Sequence, residues 1–365
     1  MAAILMIVTV TERPSFKRCR WAWDWASLNR QGLTPNIPAT ALALGTIIHR
    51  THSEFLDKEM IIGEDGVSKP KYPTLLASYV DNSFREVTKI NNIVKIRRGS
   101  DPTEEETAKL WEGITLGHSM INNYETHWGL GGSLPEGFTL VQNEQEIVVP
   151  VPGTLHPCSW EKDCECEEAC AGCELCPSKS LCHDFNWHGM TTCICQVYHK
   201  LQGQLDALIM SSGGQFFVLE RKTFARSPRI EAIQQSDQML AYIWLLTQVA
   251  PHLHITAHDI GGAVYDGMYK RAVPVKGKLL DSLFTRCEII RPDYEISNFN
   301  TMLASELNEM GHKDLVLYNN RRDWEGCWDC SFEEVCTAKA RGEDYESILA
   351  KYYVHRLAGE YAADD

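Results

Sequence analysis

Apolar residues change their spacing along the chain, and the spacing predicts the elements. Between Ala41 and Phe55 they recur every three or four residues, which is typical of a helix with one buried face. Residues 103–128 repeat this pattern after an Asp-Pro pair and a run of glutamates, which favour a helix start. The stretch between these two helices, residues 63–99, contains proline and glycine and reads as loop-rich.

After Gly137 apolar residues alternate with polar ones, which is typical of strands. Strands are expected over residues 139–151, 200–210, 215–223 and 260–271. A Gly-Gly turn at 213–214 joins the second and third of these strands into a hairpin. The apolar residues 1–10 lack the basic start and the small-residue cleavage site of a signal peptide, so they predict a buried first strand.

A helix is expected from Ser227, as N-cap with Pro228 at the first helical position, to about Val249. The tail, residues 345–357, also has a helical pattern. Helices, then strands, then a helix and a strand predict an α/β or α+β core. The chain divides into an N-terminal part of the main domain with a helical region, a cysteine-rich insert, and a core with a C-terminal cysteine segment. These parts cover residues 1–157, 158–196 and 197–365.

Composition narrows the class of protein. The chain has 365 residues, 44% of them hydrophobic, and no apolar run of the roughly 20 residues that a bilayer requires, which predicts a protein without membrane spans. Its net charge of −14 excludes a histone-like basic coat, so any contact with nucleic acid must use local patches. Two basic groups without acids stand out: Arg221, Lys222, Arg226 and Arg229, and then Lys270, Arg271, Lys276 and Lys278.

The 14 cysteines fall into groups. Without a signal peptide a reducing cytoplasm is expected, where clustered cysteines more often bind metals than form disulfides. Nine lie in residues 158–195 and offer ligands for one or two zinc ions, most densely at Cys170, Cys173, Cys176 and Cys182. Cys327, Cys330 and Cys336 form a second group, Cys19 stands apart, and Cys287 is expected to be a core residue.

Two carboxylates and a lysine form the strongest candidate site. Glu220 and Lys222 must point to the same face of their strand, because side chains alternate along it. Asp206 on the neighbouring strand of the hairpin can join them, which gives two carboxylates for a divalent cation beside one ammonium group. A Glu-x-Lys motif by itself is more often a surface pair. The apolar surroundings of Glu220 favour the active-site interpretation, because burying an unpaired acid is costly.

These residues, together with His49 on an early helix and with Gln238 and Tyr242 on the helix that follows, resemble the PD-(D/E)xK nuclease superfamily. Within it the chain is similar to the RecB-like branch, which includes CRISPR-associated RecB-type exonucleases and their phage homologues. The resemblance implies a restriction-endonuclease-like fold, with a mixed central sheet flanked by helices. It places the protein in the cytoplasm, or in the host cytoplasm if a phage encodes it.

The resemblance also implies roles for the residues. His49, Asp206 and Glu220 would bind Mg²⁺ or Mn²⁺, Lys222 would orient the attacking water, and Gln238 and Tyr242 would support the site. Cys19, Cys327, Cys330 and Cys336 would hold a 4Fe-4S cluster that joins the two ends of the chain, although four thiolates would serve zinc equally well. Arg221, Arg226 and Arg229 would grip the DNA.

The implied function is metal-dependent exonucleolytic cleavage of DNA, at single strands or ends, in recombination, repair or phage DNA processing. Partners would be recombination or CRISPR-adaptation proteins, or a second copy of the chain. One alternative is a DNA-binding adaptor with little nuclease activity of its own. Another is a zinc-binding interaction protein with a coincidental Glu-x-Lys, but it does not account for the helix bearing Gln238 and Tyr242.

Overall fold

The protein is a mixed α/β structure in which helices flank a central mixed sheet and a helical region precedes it, consistent with the restriction-endonuclease-like fold. The computed structural model describes residues 6–36, 40–57, 60–62, 68–129, 132–154, 199–226, 228–312, 314–319, 327 and 330–356. None of the helices in these ranges is long and apolar enough to cross a bilayer.

The strands of the described residues are β1 (Ile7–Thr9), β2 (Leu33–Pro35), β3 (Met60–Ile62), β4 (Ser68–Pro70), β5 (Phe138–Pro150), β6 (Lys200–Ser211), β7 (Phe216–Phe224), β8 (Ile260–Tyr269), β9 (Phe284–Ile289) and β10 (Tyr353–His355). The α-helices are α1 (Glu12–Arg18), α2 (Arg20–Ala26), α3 (Thr40–Leu56), α4 (Leu75–Arg98), α5 (Glu104–Trp128), α6 (Ile230–Gln234), α7 (Asp237–Val249), α8 (Asp293–Met310), α9 (Glu333–Arg341) and α10 (Tyr345–Tyr352). The four expected later strands are confirmed. The expected buried first strand is present as β1 over residues 7–9, where Val8 is buried and Ile7 is exposed.

The central sheet is built around β6, β7 and β8. β6 pairs antiparallel with β5 along one edge, while β7 and β8 run parallel to each other and β9 closes the far side. The other edge of β6 is shared, because residues 200–202 pair with β1 and residues 207–210 pair with β7. Residues 203–206 lie between these two pairings, and this gap holds one of the candidate carboxylates.

Gly203 allows a helix to pack tightly against this gap. A Cβ atom added at Gly203 would lie 2.4 Å from Cδ1 of Leu245 and 3.1 Å from Cε1 of Tyr242, both on α7. A side chain at this position would force Leu245 to shift, so glycine favours this close approach of helix and strand. The close packing brings the start of α7 next to the hairpin of β6 and β7.

Two apolar clusters hold the sheet between helices. The larger cluster joins α7 and α8 to the strands, and it includes the fully buried Trp244 and Phe299, whose ring centroids lie 6.0 Å apart. The second cluster lies among α3, α4 and α5, where Ile48, Ile121 and Tyr124 are fully buried. The site lies where α3 and α7, one from each cluster, meet the sheet.

Helix α4 occupies residues 75–98 of the stretch 63–99 that was expected to be loop-rich, and for these residues the sequence prediction was wrong. The helix begins at the N-cap Thr74 and ends at Gly99, whose φ of 70° is left-handed. Polar residues occupy several of its buried positions, namely Ser78, Asn82, Ser83 and Glu86. Because these side chains hydrogen-bond inside the helical region, the buried face does not read as apolar in the sequence.

Two helix boundaries also differ from expectation. The single helix expected at residues 227–249 is divided into α6 and α7, and Ser236, whose Oγ accepts from the N–H of Met239 at 3.4 Å, caps the second part. Ser227, the expected cap, lies outside the described residues. The tail forms α10 and then leaves the helix as β10, which pairs antiparallel with β2.

Candidate functional site

The first half of the site is a hydrogen-bonded pair at the gap in β6. Asp206 Oδ1 lies 2.8 Å from Nδ1 of His49 on α3, and its Oδ2 accepts the backbone N–H of Arg221 at 2.6 Å. The ladder between β6 and β7 stops at the pair Ala207 and Leu219. Just beyond that pair, the bond from the N–H of Arg221 to Asp206 still joins the two strands. Both carboxylate oxygens of Asp206 therefore have fixed partners, and the imidazole lies beside the end of the hairpin.

The second half of the site is on β7. Glu220 is buried, with only 2% of its side chain exposed, and its Oε1 lies 2.8 Å from Nζ of Lys222. The predicted shared face of these two residues is confirmed by this ion pair. Lys222 and His49 are 32% and 30% exposed, so solvent reaches the site through its basic groups while the carboxylates lie beneath them.

Helix α7 supplies two more side chains at the spacing of one turn. Nε2 of Gln238 lies 3.3 Å from Oε1 of Glu220 and 3.2 Å from the hydroxyl oxygen of Tyr242. Residues four apart share a helix face, which explains how both reach the same place. The structure thus brings together His49, Asp206, Glu220, Lys222, Gln238 and Tyr242, the set that the sequence predicts.

Electrostatics distinguish the two carboxylates. For Asp206, burial opposes the charged form, but the charge of His49, the hydrogen bond to it and the contacts of Arg221 leave the pKa lowered. Burial is the largest single effect on His49 and lowers its pKa, but the charge of Asp206 and the hydrogen bond to it together leave that pKa raised. Each of these two groups therefore favours the charged form of the other.

Glu220 behaves in the opposite way. Desolvation raises its pKa to about 7, because Lys222 compensates only part of the cost of burial and Asp206 adds repulsion. A carboxylate that is costly to ionise in place gains from an added cation, and two carboxylates with an imidazole are suitable donors for Mg²⁺ or Mn²⁺. The donor set fits a divalent cation, although no group of three or more His, Cys, Asp or Glu side chains in the described ranges is arranged around a metal position.

The structure corrects the prediction that Arg221 grips DNA. Its side chain is 2% exposed and points away from Glu220 and Lys222, as alternation along a strand requires. Nη2 of Arg221 donates to the carbonyl of Ser133 at 2.7 Å, and Nε lies 4.0 Å from Oδ2 of Asp266. The alternation of side chains along a strand already indicates this result, because it places residue 221 on the face opposite to residues 220 and 222.

Sequence reasoning missed a second buried charge cluster around Asp266 on β8. Its Oδ2 accepts from the hydroxyl of Tyr124 at 2.6 Å and from Nη2 of Arg286 at 2.9 Å. Nη2 of Arg286 also donates to the carbonyl of Gly132 at 2.8 Å. An acid within the apolar run of β8 was the available signal, and it is the same signal that drew attention to Glu220.

Glu144 on β5 was also missed. It stands between two residues paired with Ala207 and Leu205, so it lies opposite Asp206 in the ladder, and its φ is 37°. Burial is the main cause of its raised pKa, and the charge of Asp206 contributes. Such a φ is uncommon for a residue with a Cβ, and the sequence offers no indication of it.

The remaining predicted residues lie elsewhere. Arg226 and Arg229 are exposed in the segment after β7. Cys287 packs against the larger apolar cluster, as expected of a core residue. The zinc ligands predicted in the insert, Cys170, Cys173, Cys176 and Cys182, lie outside the described residues.

Three cysteines of the predicted iron–sulfur set meet in the fold. Cys19, Cys330 and Cys336 border one small apolar cluster that contains Phe332. The carbonyl of Cys327 accepts the backbone N–H of Cys330 at 3.0 Å. All four are half-buried free thiols, and the two ends of the described chain therefore approach each other here.

In a comparison with known protein families, residues 184–337 match the family model of the PD-(D/E)XK nuclease superfamily. The segment contains Asp206, Glu220 and Lys222, and it supports nuclease activity, with DNA as the substrate that the superfamily suggests. His49 and Cys19 precede it. No curated protein matches the chain.

One similar solved structure is titled "Crystal structure of SSO0001". The match covers 70% of this chain and 79% of that chain at 16% identity, with a TM-score of 0.26. This score is too low to support a conclusion about fold or function.

Proposed function

We propose that this protein is a metal-dependent DNA exonuclease that hydrolyses phosphodiester bonds at single strands or ends. The observation that carries the proposal is the pairing of two carboxylates, the buried Glu220 and the partly buried Asp206, with two more accessible basic groups, Lys222 and His49. The superfamily match over this segment supports the reaction class.

The residues that would hold Mg²⁺ or Mn²⁺ are Asp206, Glu220 and His49, together with the backbone carbonyl of Arg221. When bound, the cation lowers the pKa of a water molecule and neutralises charge on the phosphate. His49 uses Nδ1 for Asp206, which leaves Nε2 as its ligand atom. Glu220 must be ionised to contribute, and its position beside Lys222 favours that form.

Lys222 would act on the substrate. Its ammonium group is a compact point charge on a flexible stem, so it can orient a water molecule or stabilise negative charge on a phosphate oxygen. Gln238 and Tyr242 would act as positioning residues, because Gln238 contacts both Glu220 and Tyr242.

An end-labelled DNA assay tests the proposal. Single- and double-stranded oligonucleotides incubated with Mn²⁺ should be shortened from an end by wild type, while EDTA or Asp206→Asn should abolish the products. Covalently closed circular DNA should survive if the activity is exonucleolytic. Equal cleavage by wild type and Asp206→Asn would overturn the proposed site, and DNA binding without cleavage by wild type would favour the adaptor alternative.

We also propose that Cys19, Cys327, Cys330 and Cys336 hold a 4Fe-4S cluster, as the resemblance implies. The shared border of three of these thiols on one apolar cluster supports it, and such a cluster would tie the ends of a long chain together. Protein purified without oxygen should contain about four iron atoms and absorb broadly near ~400 nm. Zinc instead of iron would contradict this assignment. Zinc found in addition to the iron would support a zinc site in the insert.

A further inference from the structure

Two basic loops lie next to each other at one end of the sheet. The first basic loop, described at residues 225–226 and 228–229, follows Phe224 at the end of β7, and the second basic loop, residues 270–279, follows Tyr269 at the end of β8. Phe224 is opposite Tyr269 in the parallel ladder, and the N–H of Lys270 donates to the carbonyl of Phe224 at 2.8 Å. Both loops therefore begin at the same place. We call them together the basic edge.

The basic edge concentrates positive charge on an acidic protein. Its two loops contain no acid, and their cations are Arg226, Arg229, Lys270, Arg271, Lys276 and Lys278. The exposed cations of the second loop are Arg271, Lys276 and Lys278. No described carboxylate lies within ion-pair distance of these three residues or of Lys270. In a chain of net charge −14, the four cations Lys270, Arg271, Lys276 and Lys278 of the second loop favour an anionic partner.

The aromatic pair beneath the second loop keeps part of this charge in place. The rings of Phe224 and Tyr269 stack with centroids 5.5 Å apart, and the guanidinium of Arg271 lies 5.1 Å from the centroid of Tyr269. Lys270 is half-buried, and burial lowers its pKa. An anion beside Lys270 would offset that cost. Asn123 Nδ2 donates to the carbonyl of Ala272 at 2.8 Å and attaches the loop to α5.

The basic edge also has a fixed position relative to the candidate site. Lys222 precedes Phe224 by two residues on β7, a distance of about 7 Å along an extended strand. Lys222 pairs with Gly267 in the ladder, so the same step along β8 leads from the site to Tyr269. A DNA strand that leaves the candidate site in the direction of β7 would therefore meet both loops.

We infer that the basic edge binds the phosphodiester backbone of a single DNA strand on one side of the cleavage site, with the second basic loop as its main contact. This inference rests on the proposed function for its placement of the strand. Contacts to phosphates carry no sequence information, so this binding should be independent of sequence and should depend on salt.

The double variant Lys276→Ala/Lys278→Ala tests the inference, with Lys95→Ala/Lys109→Ala as the matched control. Both remove two exposed lysines. Those of the control, Lys95 on α4 and Lys109 on α5, pair with the exposed carboxylates of Asp101 and Glu105, and such surface pairs contribute little to stability. Lys109 lies about 21 Å along α5 from Asn123, which contacts the second loop.

Binding is measured by fluorescence anisotropy of a labelled 30-nucleotide single strand in EDTA over a series of KCl concentrations. If Lys276 and Lys278 each contact one phosphate, the slope of log K against log salt concentration becomes shallower by about 1.4. If the variant and wild type bind equally at about 1 M salt, the variant then binds about 25-fold more weakly at about 0.1 M salt. The control should bind as wild type does. Equal affinity and slope for the loop variant and wild type would overturn the inference.

The experiment separates this inference from the proposed function, because it needs no cleavage. If wild type cleaves DNA with Mn²⁺ and the loop variant binds DNA as wild type does, only the role of the basic edge is refuted. Weaker binding by the loop variant, together with no cleavage by wild type, supports the basic edge and refutes only the nuclease proposal.

Discussion

Two groups of buried charge lie back to back on β7, and they differ in how the protein satisfies them. On one face Glu220 has Lys222 and Gln238 as partners, and desolvation still raises its pKa to about 7. On the other face Arg221 belongs to a cluster in which Asp266 receives bonds from a tyrosine and an arginine. Burial of charge is common to both groups, while access from solvent is confined to the first.

The cluster around Asp266 is closed by its own partners. Asp266 is 1% exposed, and Nη2 of Arg286 and Nη2 of Arg221 donate to the carbonyls of Gly132 and Ser133 respectively. Burial, and next the charge of Asp266, raise the pKa of Tyr124 well above its ordinary value, so its hydroxyl remains a donor. A buried acid in an apolar strand is therefore weak evidence of an active site unless accessible groups lie beside it.

The sharpest test of this comparison is Glu220→Gln. Removal of the charge should lower DNA cleavage by at least about 10³-fold, since a metal-supporting carboxylate is lost. The urea midpoint should stay the same or rise, because the variant no longer buries a poorly compensated charge. A large loss of stability would show that Glu220 is a structural ion pair like Asp266.

The reciprocal variant is Asp266→Asn. It leaves Arg286 and Arg221 buried without a carboxylate, which should destabilise the fold by about 3–5 kcal/mol. Urea unfolding followed by circular dichroism measures this change. The fraction that remains folded at low temperature should cleave DNA at the wild-type rate, and a selective loss of activity in that fraction would contradict a purely structural role.

Stability against pH in EDTA gives a third test. The folded pKa of Glu220 is raised above its unfolded value, so between about 4.5 and 7 the folded state binds the extra proton. Its contribution to stability is therefore present at low pH and is lost as pH rises through about 7. The difference in urea midpoint between pH 5.5 and 7.5 should be smaller in Glu220→Gln than in wild type.

The smallest expected effect concerns Gln238. Its amide contacts both Glu220 and Tyr242, so Gln238→Ala should lower kcat about tenfold, equivalent to about 1.4 kcal/mol, while KM stays the same. Gln248→Ala on the same helix is the control. Within the described residues, the side chain of Gln248 hydrogen-bonds only to the hydroxyl of its neighbour Thr247. An equal change in both variants would mean that α7, not this contact, was affected.

Some elements could be predicted because their local signals agree. The helix at α5 has the cap Thr103 and the box partner Glu106 that its sequence suggests. The strands β5 and β6 alternate in burial along most of their length, whereas β7 and β8 are buried on both faces. Helix α4 could not be predicted in this way, because its buried face uses Ser78, Asn82 and Glu86, whose partners lie on other turns and on α3.

The sequence by itself determined that Glu220 and Lys222 share a face, because the period of a strand is two residues whatever surrounds it. Only the tertiary structure decided that Asp206 bonds to His49, a residue 157 positions away, and that Arg221 has its partner in Asp266 on another strand. It also decided that the two basic loops form one surface, because strand pairing joins segments that the sequence keeps about 40 residues apart. Local periodicity fixes the direction of a side chain along its own element, whereas its partner depends on how the elements pack.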